Sequence, residues 1–130
     1  MQFTDFTQLD LQRLPSPCFV VDEVAVERNL NILHEVGQRS GAKVLQALKA
    51  FSMWSLAPLT QRYLSGTCAS GLHEARLGKE QYSGEVHVFS AAFSAEDLAE
   101  LLTFADHIVF NSCSQLLRFK TQCENCLLYT

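Results

Sequence analysis

Short apolar runs alternate with amphipathic helical stripes along most of the chain, at a spacing of about twenty residues. The runs are residues 43–49 (KVLQALK), 66–70 (GTCAS), 86–89 (VHVF) and 108–110 (IVF). The third is β-branched and aromatic, the composition of a strand. Helical signals fill the gaps. Val26, Leu30 and Leu33 repeat at i, i+4 and i+7 after Asp22, a plausible N-cap, and Arg39 with Gly41 marks that helix's end. Pro58 suits the first turn of a helix reaching about Leu64. Ser70 reads as the cap of a helix from Leu72 to about Tyr82. Ser94-Ala95-Glu96-Asp97 is a capping box followed by Leu98, Leu101, Leu102 and Ala105 as the buried stripe. Ser112 with Gln115 repeats the signal before Leu116 and Phe119. An earlier run, residues 18–21, is also of strand type. Strands alternating with helices in this way predict an α/β fold with a parallel sheet.

Length then becomes the difficulty. The chain has 130 residues; a whole (β/α)8 barrel takes about 250. Four strand–helix units make either a small open sheet or half a barrel. A half barrel leaves two open strand edges and one uncovered core face, and nothing in the sequence blunts those edges. The last eight residues, from Cys123 to Thr130, read as the start of another strand. A complete small α/β domain is the alternative. Residues 1–14 are a mixed lead-in, punctuated by Pro15 and Pro17, and residues 15–130 are the strand–helix domain, which on the half-barrel reading is a partial barrel.

Composition removes several function classes. With 48% hydrophobic and 18% charged residues, the chain buries a core and is not disordered. A net charge of −4 argues against a nucleic-acid partner, which needs clustered Lys and Arg. No stretch reaches the roughly 18 apolar residues of a membrane helix, so no membrane partner is expected. Five cysteines with no secretory signal read as reduced thiols in the cytoplasm.

Lys49 carries the chemistry. It ends an apolar strand, where desolvation favours the neutral amine that Schiff-base formation requires. Strand alternation puts it on the face of Ala47 and Leu45, and Ala47 leaves room beside the amine. An ordinary lysine, with its stem on the core and its head in water, is the other reading of the same residue.

Several segments carry a resemblance. Ala47-Leu48-Lys49-Ala50-Phe51-Ser52-Met53-Trp54 resembles the lysine motif of fold-type III pyridoxal-phosphate enzymes, the alanine racemase and ornithine decarboxylase superfamily. Pro17-Cys18-Phe19-Val20-Val21-Asp22 resembles the group's entry segment, and residues 68–78 (CASGLHEARLG) its second strand–helix junction. Residues 84–90 (GEVHVFS) and 107–112 (HIVFNS) resemble its third and fourth strands. Together they are most similar to the carboxynorspermidine (carboxyspermidine) decarboxylase family, over residues 15–120. The resemblance implies the N-terminal part of a TIM-like barrel of the alanine racemase type. It implies pyridoxal 5'-phosphate held by Lys49 as a Schiff base, a carboxylated triamine as substrate, norspermidine or spermidine as product, and a homodimer at full length. The family's phosphate loop, substrate acids and C-terminal β domain fall outside this chain, so the fragment alone is expected to be inactive.

Ser70 and His73 lie at a strand-to-helix turn, the face where barrel sites form. They read as lining the cofactor pocket, or as a helix cap and a solvated first-turn residue. His87, inside a strand, reads as a satisfied core histidine; His34 and His107 have no evident partner. Phe51 and Trp54 read as core or as the mouth of the site, and Cys68 as a small core residue. Cys123 and Cys126 make a C-x-x-C without a second pair at ligand spacing, so no metal is expected. Two other functions remain open: a racemase-like or cofactor-carrier barrel using the same lysine, and a non-enzymatic truncated product or interaction module.

Overall fold

The computed structural model describes residues 5–124. Four strands form one parallel sheet in chain order: β1 (Leu45–Ala47), β2 (Gly66–Ala69), β3 (Glu85–Ser90) and β4 (His107–Phe110). Each is followed by helix: α2 (Ala57–Thr60), α3 (Leu72–Gln81), α4 (Ala95–Leu101), and α5 (Cys113–Arg118) with α6 (Lys120–Glu124). A longer helix, α1 (Glu23–Ser40), precedes the sheet. The predicted parallel α/β order is therefore observed, with strands within two or three residues of the sequence spans.

Local chemistry explains the boundaries. The Asp22 carboxylate accepts the Ala25 N–H at 3.1 Å and opens α1. Gly41 closes it at φ 73°, a left-handed conformation that glycine adopts without a Cβ penalty. Ser94 and Ser112 cap α4 and α5 by accepting N–H bonds from Asp97 and Gln115.

Among the described residues, helices cover only one face of the sheet. Thr67, Ala69, Val86 and Val88 point to that face and are almost wholly buried. Ala69, Val86 and Val88 meet Ala75 of α3, Leu98 and Leu101 of α4, then Leu102 and Ala105. A smaller cluster joins Leu30 of α1 to Leu59 and Leu64, with Val26 at its margin. On the opposite face Phe89 is 42% and Val109 50% exposed. Among the described residues β1 and β4 each have a neighbour on one side only. An apolar groove of about 430 Å³ runs along the β4 edge, lined by Ile108, Phe110, Leu116 and Cys123. No described helix is long and apolar enough to cross a membrane.

Four local expectations are corrected. Residues 18–21 form no strand; Phe19 is 97% exposed, and without a neighbouring strand a β-type run has no partner for its backbone. The helix at Pro58 stops at Thr60 because Ser65 must reach back to donate to the Val44 carbonyl, turning the chain into β2. Leu33 is exposed, so the α1 stripe is narrower than its spacing implied. Cys123 and Glu124 lie in a helix and not in a strand; the rest of that segment, with Cys126, lies outside the described residues.

Candidate active site

Lys49 sits beyond the C-terminal end of β1, in a turn and not in the strand. The ladder's last bond here is Leu48 N–H to the Cys68 carbonyl, 3.1 Å. The N–H groups of Ala50 and Phe51 then both turn back to the Ala47 carbonyl, at 3.0 and 3.2 Å. The Gln46 side-chain amide donates to the Phe51 carbonyl at 2.8 Å and pins the turn from below. Leu48 drives its side chain into a cluster with Ala57 and Tyr82 and is only 2% exposed. With Leu48 anchored inward, Lys49 faces out and is exposed. This corrects the expectation of a strand lysine desolvated against the core: the turn presents an accessible amine. Gln46 and Leu48 position it, and neither stood out in the sequence.

Ser70 leaves the same end of the neighbouring strand. Ala47 and Cys68 are register partners, and Lys49 and Ser70 each lie two residues beyond that pair. Ser70 does not cap α3, as had been expected. The cap position is Gly71, without a side-chain bond, and the Ser70 N–H instead donates to Glu74 Oε2 at 2.8 Å. Ser70 therefore stands one residue before the cap, its N–H tied to a first-turn carboxylate, and its hydroxyl takes no part in capping α3. His73 is exposed in the first turn of α3, and Glu100 of α4 is bound by a different residue. Arg76 grips that carboxylate at 2.5 and 2.6 Å. These bonds hold the Glu100 carboxyl below its ordinary range, with a smaller charge contribution from His73. The structure thus brings Lys49 and Ser70 to adjacent strand ends, with His73 exposed in the first helical turn after Ser70. Trp54 is 58% exposed in a 3₁₀ turn after the lysine segment, and Phe51 is half-buried.

A second polar group lies toward the N-terminal ends of the strands, on the uncovered face. Glu85 accepts from Lys43 and, at 2.8 Å, from His87 Nε2; His107 Nε2 is 3.8 Å from the same carboxylate. The Lys43 bond, then the His87 bond, bring the Glu85 carboxyl down to about 2. His87 is half-buried on an open face, so it is no core histidine, and His107 has a partner after all. His34 also has one: its Nδ1 lies 2.9 Å from the Tyr63 carbonyl oxygen. The alternation of Glu85 and His87 was readable; the register bringing His107 beside them was not.

No family model matches the chain. It is 42% identical over 112 residues to the carboxynorspermidine/carboxyspermidine decarboxylase of Herminiimonas arsenicoxydans, an alignment covering 86% of this chain and 31% of that protein. A solved structure, carboxynorspermidine decarboxylase complexed with norspermidine from Campylobacter jejuni, superposes with a TM-score of 0.82 at 35% identity, covering 87% of this chain and 31% of that one. This chain is a homologue of the carboxynorspermidine/carboxyspermidine decarboxylases. It spans about a third of their length and fits their N-terminal portion. The carboxyaminopropylagmatine decarboxylase of Synechocystis sp. is similar too, 38% identical over 115 residues, covering 88% of this chain and 30% of that protein.

Proposed function

We propose that this chain is the N-terminal part of a pyridoxal-phosphate-dependent decarboxylase of polyamine biosynthesis. It converts carboxynorspermidine or carboxyspermidine to norspermidine or spermidine, on a (β/α)8 barrel of the alanine racemase type. The observation that carries the reading is an accessible lysine amine at the C-terminal end of a parallel strand, in a chain homologous to decarboxylases of this substrate class. Barrel enzymes assemble their sites at that end.

The residues present fit the aldehyde end of the cofactor, which needs one exposed primary amine on a fixed turn. Lys49 holds the group, and Ser70, at the adjacent strand end, lines its pocket; His73 stands at the rim. When bound, pyridoxal phosphate supplies an electron sink for the bond broken as CO2 departs. Gln46 and Leu48 fix the turn from which the Lys49 amine reaches out, and Trp54 limits water at the mouth. The phosphate site, the substrate acids and the second protomer of a cytoplasmic homodimer belong to the remaining two-thirds of the barrel enzyme.

The test is reductive trapping. The 130-residue chain is incubated with pyridoxal phosphate, reduced with borohydride and mapped by mass spectrometry. Labelling at Lys49, lost in Lys49→Ala, is expected; labelling spread evenly over Lys43, Lys79 and Lys120 overturns the role of Lys49. The same chain releases no CO2 from carboxynorspermidine, and measurable release would show that the remaining barrel is dispensable. At full length, preference for carboxyaminopropylagmatine over both triamines would shift the substrate assignment toward the Synechocystis relative.

A further inference from the structure

We propose that Glu85, His87 and His107 form a binding site for a divalent transition ion of the zinc class, on the sheet face away from the helices. The site follows from strand geometry. Glu85 and His87 are two residues apart on β3, so both project to the same side. His87 and His107 are register partners on β3 and β4, which puts the second imidazole beside the first. Their rings stack at 4.2 Å with a 33° tilt. Both Nε2 atoms face one carboxylate oxygen, Glu85 Oε2, at 2.8 and 3.8 Å. One donor atom from each of the three residues lies within 4.8 Å of the other two.

The donor set selects the ion. Two imidazole nitrogens and one carboxylate oxygen are the ligands of Zn²⁺ and its neighbours, whereas Ca²⁺ and Mg²⁺ want all-oxygen cages. Bonds of about 2.1 Å at tetrahedral angles place donors about 3.4 Å apart. The observed 2.8 and 3.8 Å bracket that value, so small side-chain rotations seat an ion. The two carboxylate oxygens divide the work. Lys43 takes Glu85 Oε1, leaving Oε2 to the imidazoles. An outer hydrogen bond of this kind fixes a ligating carboxylate, while the ammonium charge restrains affinity for a cation. On binding, His87 takes the Nδ1–H tautomer: Nε2 gives up its proton, Nδ1 gains one by exchange with water, and the Nε2 lone pair takes the ion while the ring stays neutral. Water completes the coordination. None of these groups belongs to the Lys49 end of the strands, so the proposal stands apart from the decarboxylase reading.

The experiment titrates Co²⁺ and then Zn²⁺ into the 130-residue chain with Cys18→Ser, Cys113→Ser, Cys123→Ser and Cys126→Ser, so that these thiols do not compete. One equivalent of Co²⁺ with visible d–d absorption is expected, displaced by one equivalent of Zn²⁺. His107→Ala, at an exposed position, and His87→Ala each weaken binding by about tenfold or more. Lys43→Met strengthens it, and Phe89→Ala, on the same face, leaves it unchanged. In the unsubstituted chain Zn²⁺ raises the thermal midpoint, and His107→Ala abolishes the rise. Absence of saturable Co²⁺ uptake, or uptake unaltered in His107→Ala, overturns the proposal and leaves the trio as a hydrogen-bonded charge cluster.

Discussion

At the scale of single residues, contact between helix and sheet is set by what is missing from a side chain. Gly78 of α3 lies over β2, and a Cβ there would come within 2.5 Å of Thr67 Oγ1 and 3.5 Å of Leu48 Cδ1. Gly78→Ala is expected to cost about 1–3 kcal/mol by overpacking, read as a lower urea midpoint. Thr67 itself is 1% exposed, and its buried hydroxyl has no hydrogen-bond partner. Thr67→Val keeps the branched shape and removes the stranded hydroxyl, so a gain of about 1 kcal/mol is expected. A loss on chemical denaturation would mean that the hydroxyl is satisfied in solution. The lysine that matters was legible at this scale from the run before it. Its setting was not, because a side-chain bond from Gln46 to the Phe51 carbonyl ends the strand early, and no pattern of hydrophobicity encodes that bond.

Elements were the most readable level. Caps at Asp22, Ser94 and Ser112 announced three helices, and the caps are formed. Ser94→Ala is expected to destabilise the chain by about 1 kcal/mol in thermal or urea unfolding. Where the reading failed, the helix begins one residue later than expected: the cap position falls to Gly71, and Ser70 before it offers its N–H to Glu74. Between elements, the Arg76–Glu100 pair clamps α3 to α4. Arg76 holds the folded Glu100 carboxyl below its ordinary value of 4.5. The unfolded chain therefore binds the proton more readily, so the clamp's contribution is complete above about pH 5 and is lost as pH falls below it. Both side chains are well exposed, so the effect is small. In urea titrations between about pH 6 and pH 3, Arg76→Gln should flatten the acid slope; an unchanged slope would remove the clamp from the pH response.

At the scale of the whole molecule, the sheet has one finished side. A compact protein of this mass exposes about 6,900 Å² by the usual area scaling; this chain exposes 9135 Å². The uncovered face with Phe89 and Val109 contributes to the excess. The isolated chain should be marginally stable and associate as concentration rises. Sedimentation velocity checks this, with Phe89→Ser expected to reduce association; a monomer with a sharp, high thermal transition would count against it. The strand count and parallel order were visible in the twenty-residue rhythm. Which face stays open was not, since that depends on where the helices settle together.

The position of β1 has a further consequence, in the timing of local opening. β2 and β3 are flanked on both sides, whereas β1 holds on through a three-residue ladder to β2. Amide exchange should therefore be slowest at Thr67, Val86 and Val88 and fastest, among the strands, at Leu45 and Gln46. An edge strand this short can detach without unfolding its neighbours, carrying the Lys49 turn with it. In the isolated chain the amine's orientation would then be lost long before the sheet is, and a partner strand alongside β1 would slow its exchange first.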